Sequence, residues 1–178
     1  MTETVNKDFQ VTQHFGFFEM TKTSNAGLQE LNRQKALEYL PSLSRLCTIM
    51  EGVRAAIGEP LVVHSGFRCS DLNKATAGSS KSSQHMLGEA CDFTRQYDNG
   101  DEQKIEHLFN RTLRYLADTQ APFGQLIREY ADRPYGKAVW VHLSLGAPFR
   151  NPDRCGEVMT MMAGVDGIPH YTLLKKIA

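Results

Sequence analysis

Two side chains that can bind a metal ion stand close together in the middle of the sequence. His85 and Asp92 lie seven positions apart, with Gly88 and the small Ala90 between them. Such a segment can turn at the glycine and then enter a strand, which would bring both side chains to one point. Imidazole and carboxylate groups are standard ligands of Zn2+, and a catalytic zinc site uses three protein ligands and keeps a fourth position open.

A third ligand must come from another part of the chain, and His142 is well placed to supply it. It lies in a stretch that alternates like a half-buried strand. Two sets of residues alternate there: Trp140, His142 and Ser144 on one face, and Val141, Leu143 and Leu145 toward the core. A lone histidine is more often a surface or hydrogen-bonded core residue, so the metal interpretation depends on the combination.

The remaining histidines and the cysteines indicate no second metal site. Four histidines are expected to have ordinary surface or hydrogen-bonding roles: His14, His64, His107 and His170. Of these, His64 is close enough to segment 65–68 to reach the rim of the site. No cysteine is part of a C-x-x-C arrangement, so we expect reduced, mostly buried thiols. Cys91 is the one candidate nucleophile, but strand alternation should turn it away from the face of Asp92.

The elements that must position these residues follow from the hydrophobic patterns. Helical spacing of apolar residues or helix-forming composition predicts three helices: Leu43–Ile57, Asp71–Ala77 and Lys104–Leu116. Strands are predicted at five places: Leu61–Val63, Glu89–Thr94, Phe123–Tyr130, Lys137–Leu145 and Val158–Ala163. The last of these is expected to be an edge strand before a polar tail. The order predicts an α+β domain with an antiparallel sheet and helices packed on one face.

Length and charge argue against several classes of function. A chain of 178 residues fits one domain, 1–178. It carries 20 basic and 20 acidic residues, which argues against nucleic-acid binding and against attachment to an anionic membrane. No stretch approaches the roughly 20 apolar residues of a membrane helix. Residues 1–8 lack the features of a secretory signal, so we expect a cytoplasmic protein as synthesised. The sequence indicates no particular protein partner.

Four short strings of residues surround the candidate ligands: Ser65-Gly66-Phe67-Arg68, Leu72-Asn73, Ser83-Gln84-His85-x-x-Gly88-x-Ala90-x-Asp92 and Trp140-x-His142-x-Ser144. Together they resemble the zinc D-alanyl-D-alanine carboxypeptidase family. That family includes phage L-alanoyl-D-glutamate endopeptidases and vancomycin-resistance D-Ala-D-Ala dipeptidases, and the hedgehog amino-terminal domain shares its fold. The resemblance spans roughly Phe15 to Ser144.

The resemblance implies a zinc peptidase that cleaves peptidoglycan stem peptides with a zinc-activated water molecule. It implies that His85, Asp92 and His142 bind the zinc. It also implies that Arg68 binds a substrate carboxylate or polarises the scissile carbonyl, which suits a planar guanidinium. Ser83 is similar to a family serine near the substrate backbone, and a serine that merely forms a turn is the alternative.

A hydrolytic site of this kind also needs a general base. Many relatives have an acidic residue three positions before the last histidine, and Val139 occupies that position here. The similarity to the hedgehog fold and to one branch of the carboxypeptidases points instead to Glu129, at the end of the preceding strand, with Asp132 in reserve. Because side chains alternate along a strand, Glu129 and Arg128 point to opposite faces of the sheet. Alternation alone leaves open which of these faces carries the zinc site.

Two functions of different classes are compatible with these residues. The first is hydrolysis of stem peptides, either as a carboxypeptidase or as a phage-type endopeptidase (a lysin) released to the cell wall at lysis. The second is a catalytically inactive, zinc-stabilised binding or structural module, which the missing acid at Val139 favours. Three segments are expected to form the pocket walls: Ser79–Ser82, Asp132–Gly136 and Arg150–Cys155.

Overall fold

The computed structural model describes residues 8–98, 101–129, 140–146, 155–163 and 169–177. The helices and strands in chain order are α1 (Phe17–Thr21), α2 (Gln29–Ala36), α3 (Leu40–Ile57), β1 (Leu61–Ser65), α4 (Ser70–Ala75), β2 (Ala90–Arg95), α5 (Glu102–Thr119), β3 (Phe123–Glu129), β4 (Trp140–Leu145), β5 (Glu157–Ala163) and β6 (Pro169–Lys176). Short 3-10 helices lie at Ala26–Leu28, Leu37–Tyr39 and Gln84–Leu87.

The six strands form one sheet in the order β1-β2-β4-β3-β5-β6. The β1–β2, β2–β4, β3–β4 and β5–β6 pairs are antiparallel, whereas β3 and β5 run parallel. The predicted α+β class is therefore confirmed, with a sheet that is mixed and mostly antiparallel. The end of β4 and the start of β5 both lie beside the start of β3, on its two opposite sides, so β5 runs in the same direction as β3.

The C-terminal strands differ from the sequence prediction. The run Val158–Ala163, predicted as an edge strand, falls within β5, inside the sheet between β3 and β6. The segment predicted as a polar tail contains β6, which is the edge strand on this side of the sheet. An edge strand carries exposed side chains, so its apolar residues, such as Tyr171 and Leu173, do not stand out as a buried face.

Helices α3 and α5 cover one face of the sheet, as predicted. The buried residues on them are Leu43, Leu46, Cys47, Met50, Val53, Ile105, Leu108, Phe109, Thr112 and Leu116. All of them except the polar Thr112 belong to one apolar core with inward-facing strand residues, among them Cys91, Phe93, Leu126, Val141 and Leu143. Because side chains alternate along each strand, the intervening residues of β2, β3 and β4 point to the opposite face.

Asn32 joins α2 to the segment that follows β1. Its side-chain amide donates to the carbonyl oxygens of Thr21 (2.8 Å) and Phe67 (3.0 Å), and its Oδ1 accepts from the backbone N–H of Cys69 (2.7 Å). Asn32 is fully buried. These bonds fix the backbone on both sides of Arg68.

The four cysteines are free thiols, three of them buried. Cys91 is fully buried in the core, and burial raises the pKa of its thiol well above the usual value. It points away from the face of Asp92, as alternation predicts, and its protonated, enclosed thiol is not placed to act as a nucleophile. In the part of the chain that the structure describes, no helix has the length and apolar character needed to cross a membrane.

Candidate metal and catalytic site

Asp92 and His142 occupy paired positions on β2 and β4, on the face that α3 and α5 leave uncovered. Side chains of directly opposed residues in antiparallel strands point to the same face. The two groups therefore meet, and His142 Nδ1 lies 2.8 Å from Asp92 Oδ1. Both residues are 8% exposed.

His85 reaches the same point from a 3-10 helix rather than from a strand. That helix ends at Gly88, which has a φ of 65° and lies against Tyr39 and Leu43. The positive φ favours glycine, so the turn expected at this residue is present. It places His85 Nε2 3.4 Å from Asp92 Oδ1.

The orientation of the His85 ring is set by Gly66. The carbonyl oxygen of Gly66 lies 2.7 Å from His85 Nδ1 and accepts its hydrogen bond, which leaves the lone pair of Nε2 directed toward Asp92. A side chain at Gly66 would not fit, since an added Cβ would lie 2.3 Å from the carbonyl oxygen of Met20. Burial lowers the pKa of His85, which favours the neutral imidazole that binds metals.

The three ligand atoms fit a metal ion of the kind predicted. One atom each from His85, Asp92 and His142 lies within 4.8 Å of the others, and all three residues are buried. Two imidazoles and one carboxylate are a donor set that Zn2+ accepts, and three ligands leave a coordination position free. The bond from His85 to a backbone carbonyl is the outer contact that metal-binding histidines usually make.

Asp92 is held in the anionic form. Burial alone would raise its pKa, but His85 and His142 outweigh that effect and hold the pKa of this carboxyl well below its usual range. Burial likewise opposes the protonation of His142, yet the hydrogen bond that its ring donates to Asp92 raises its pKa. The site thus concentrates negative charge at a point where a cation can replace the imidazole proton.

Glu129 lies on the face of the three potential metal ligands. It pairs with Trp140 in the register of β3 with β4, and Ile127 pairs with His142. Alternation alone did not determine whether Glu129 faces the candidate site. The register of β3 with β4 shows that it does. Burial, reinforced by the negative charge of Asp92, raises the pKa of Glu129 to about 7. A carboxyl group with such a pKa can both accept and release a proton near neutral pH.

Arg68 and Ser83 lie together on the wall of the same cavity. Arg68 Nη2 donates a hydrogen bond of 3.3 Å to Ser83 Oγ. The buried Nε of Arg68 has no hydrogen-bond partner among the described residues. Ser83 therefore holds the guanidinium at the cavity wall, where its terminal N–H groups form the part that can meet a ligand.

The cavity has a volume of about 770 Å3, and its lining includes both polar and apolar side chains. Serines 79, 80 and 82 line one side, so the segment Ser79–Ser82 forms part of the wall as expected. Cys155, the last residue of Arg150–Cys155, also lines it. The rest of that segment, the turn Asp132–Gly136 with Asp132, and Val139 lie outside the described residues.

The other histidines do not join the three ligands. His64 lines the cavity, and its Nε2 lies 2.8 Å from Thr94 Oγ1. His14 pairs with Glu51 at 2.7 Å, while His107 and His170 are exposed on α5 and β6. This placement agrees with the ordinary roles expected for them.

Two features of the site were not identified from the sequence. Asn32 positions the backbone around Arg68, but it lies in a polar helix far upstream and carries no motif. Met159, Met161 and Tyr171 line the cavity from β5 and β6. The alternation of Met159 and Met161 within a predicted strand was the signal that could have revealed them.

A family model described as Peptidase M15 matches residues 13–125, more than half of the chain. The matched segment contains His85 and Asp92 and ends before Glu129 and His142. A comparison with curated proteins finds no match. The places of Glu129 and His142 in the site therefore rest on the geometry described above.

Proposed function

Because the chain belongs to the Peptidase M15 family, whose members are zinc-dependent peptidases, we propose that residues 1–178 form one zinc metallopeptidase domain that hydrolyses peptidoglycan stem peptides. The observation that carries the proposal is the position of Glu129. Its largely buried carboxyl group, with a pKa of about 7, faces the same side of the sheet as three potential metal ligands. A metal site and a proton carrier on one face are the minimum that peptide hydrolysis by a metal-activated water molecule requires.

His85, Asp92 and His142 would hold the zinc ion. When bound, zinc supplies a Lewis acid that lowers the pKa of a coordinated water molecule and polarises the scissile carbonyl. Asp92 contributes the negative charge that favours a cation at this point. The Gly66 carbonyl keeps the His85 ring in the orientation that exposes Nε2.

Glu129 acts as the proton carrier. Its carboxylate accepts a proton from the attacking water and then donates that proton to the nitrogen of the leaving amine. The raised pKa suits this task, because an ordinary glutamate is a weaker base and would accept the proton from water less readily, while a group with a pKa of about 7 can still release it to an amine.

Arg68 and Ser83 bind the substrate. The guanidinium of Arg68 pairs with a carboxylate of the stem peptide or with the carbonyl oxygen of the scissile bond. Ser83 holds one of its nitrogens and lies near the peptide backbone of the substrate. Free carboxylates and D-amino acids are abundant in stem peptides, which makes them suitable ligands for such a cavity.

Digestion of purified muropeptides by the zinc-loaded protein, followed by mass analysis, tests the proposal. Loss of a single D-alanine identifies a carboxypeptidase, and an internal cut identifies an endopeptidase of the phage type. Intact muropeptides after prolonged incubation, with zinc bound at one equivalent, would contradict peptidoglycan hydrolysis.

The second candidate is a zinc-stabilised binding or structural module without turnover. The valine at position 139, where many relatives have an acid, is the observation that favours it. In that case the protein binds zinc and hydrolyses no peptide, and replacing Glu129 changes no rate.

A further inference from the structure

An apolar wall begins beside Glu129 and extends across the outer strands of the sheet. We call this wall the shelf, and it consists of Ile127, Met159, Met161 and Tyr171. Ile127 pairs with Met159 and Glu129 pairs with Met161 in the parallel β3–β5 register. Met161 in turn pairs with Tyr171 of β6. The shelf therefore shares the face of the metal ligands.

The shelf is firmly packed on its inner side and open on its outer side. Ile127 is 4% and Met161 6% exposed, whereas Tyr171 is 50% exposed. All four side chains line the cavity that contains the metal ligands. The shelf is thus an apolar surface that is continuous with the catalytic cavity and has room for an apolar group.

The position of the shelf relative to Glu129 decides which part of a substrate meets it. A residue that donates a proton to the leaving amine must lie within hydrogen-bond reach of that nitrogen. Since Ile127 and Met161 are the neighbours of Glu129 on this face, the shelf is the apolar wall beside a leaving nitrogen that contacts Glu129. Arg68 and Ser83 come from other segments and provide the polar wall.

We propose that the shelf binds the side chain of the substrate residue whose nitrogen leaves, and that it selects an apolar side chain there. This inference rests on the proposed function. Flexible methionines and an amphipathic tyrosine suit an aliphatic group. A carboxylate at the same place would be desolvated against apolar atoms, so cleavage before D-glutamate is disfavoured. Strands β5 and β6 lie outside the matched segment 13–125, so family membership does not determine this preference.

Binding of three peptides that differ only at the residue after the scissile bond (Leu, Ala or Glu) tests the shelf. The zinc-loaded Glu129→Gln protein is used, so that turnover does not interfere, and affinity is measured by titration calorimetry. We expect the Leu peptide to bind about tenfold more tightly than the Glu peptide, as burial of one apolar side chain allows. Equal affinities, or no measurable binding of the Leu peptide, would overturn the inference.

Three further substitutions in this protein locate the effect. Tyr171→Ser is expected to reduce the Leu-to-Glu ratio to about threefold or less, and Tyr171→Phe to preserve it, because the ring provides the apolar area. Met162→Ser is the matched control: Met162 is 56% exposed on the same hairpin and points to the opposite face from Met161. Equal effects of Tyr171→Ser and Met162→Ser would contradict the shelf.

Hydrolysis of the same peptides by the protein with Glu129 intact separates this inference from the proposed function. If no peptide is hydrolysed, the proposed function fails, while the binding ratios still decide the shelf. If all three are hydrolysed at equal kcat/KM, the peptidase stands and the shelf is wrong.

Discussion

Glu129 and Trp140 are direct partners in the antiparallel pairing of β3 with β4, and this pairing turns the Glu129 carboxyl group toward the face of His142. The position three residues before His142, acidic in many relatives, is Val139 here. The acidic group on the face of His142 is thus Glu129 of the neighbouring strand β3 and not a residue that closely precedes His142 in the sequence. The consequences of this arrangement can be measured.

Replacement of Glu129 by Gln is expected to lower kcat by about 100-fold or more, because the amide can neither accept nor return the proton. Zinc content should remain at that of the unmodified protein, since Glu129 is not among the three ligands. Rates on a stem peptide and metal analysis of the same preparation provide both values. Glu157→Gln is the control, a glutamate on β5 that bonds to Gln125, and its activity should be unaltered. An unchanged rate in Glu129→Gln would show that Glu129 is not the proton carrier, whereas the absence of hydrolysis in both proteins would favour the inactive module.

The stability of the metal-free protein is expected to fall as pH rises from about 4.5 to about 7, relative to Glu129→Gln. The unfolded chain loses the Glu129 proton near pH 4.5, whereas the folded chain keeps it until about pH 7. The folded state therefore binds more protons within this window, and its stability declines as pH increases. Between the low and the high end of this window, the unfolding free energy of the unmodified protein should fall by about 3 kcal/mol relative to that of Glu129→Gln. Urea unfolding with chelator at about pH 5 and about pH 8 measures it, and a difference that does not vary with pH would refute it.

Removal of a metal ligand is expected to remove the metal. His85→Ala and His142→Ala each leave two of the three ligands, so zinc should fall well below one equivalent and the rise of Tm with added zinc should disappear. His64→Ala is the matched control, a histidine of the same cavity outside the ligand group. Zinc retention by His85→Ala equal to that of His64→Ala would show that the metal binds elsewhere.

Gly66→Ala is expected to weaken zinc binding without touching a ligand. The added Cβ would approach the Met20 carbonyl oxygen to 2.3 Å, so the segment must move and the Gly66 carbonyl leaves His85 Nδ1. Loss of such an outer contact costs about 10- to 100-fold in metal affinity. Competition with a chromogenic chelator measures it. Gly27→Ala, whose Cβ meets no atom closer than 3.5 Å, should bind zinc normally.

Arg68→Lys is expected to reduce kcat/KM about tenfold or more, even though the charge is retained. Lysine offers no planar fork for a carboxylate, and it cannot reproduce the bond to Ser83 while also binding substrate. Arg45→Lys, on the exposed side of α3, is the control with the same chemical change. Steady-state rates with a stem peptide distinguish the two, and equal values would remove Arg68 from the substrate site.

The sequence could predict the strands of Asp92 and His142 and the turn after His85, because their signals are local, but it did not predict the 3-10 helix that carries His85. Gly88 marks the turn after His85, and alternation puts Asp92 and His142 on polar faces. The face of Glu129 could not be predicted, because alternation separates two faces without saying which one meets another strand. Asn32 was also beyond prediction, since its hydrogen bonds connect backbone groups distant in the chain.

Asp92 and His142 are neighbours across two strands although 50 positions separate them. The chain between them forms α5 and β3, and β4 then inserts between β2 and β3. Closing so long a loop costs conformational entropy, which the contacts of the central strands must offset. A chain still on the ribosome cannot offer all three ligands until β4 has emerged. The complete group of candidate ligands therefore exists only in a chain that has been synthesised past His142, and a chain released before that point would lack it.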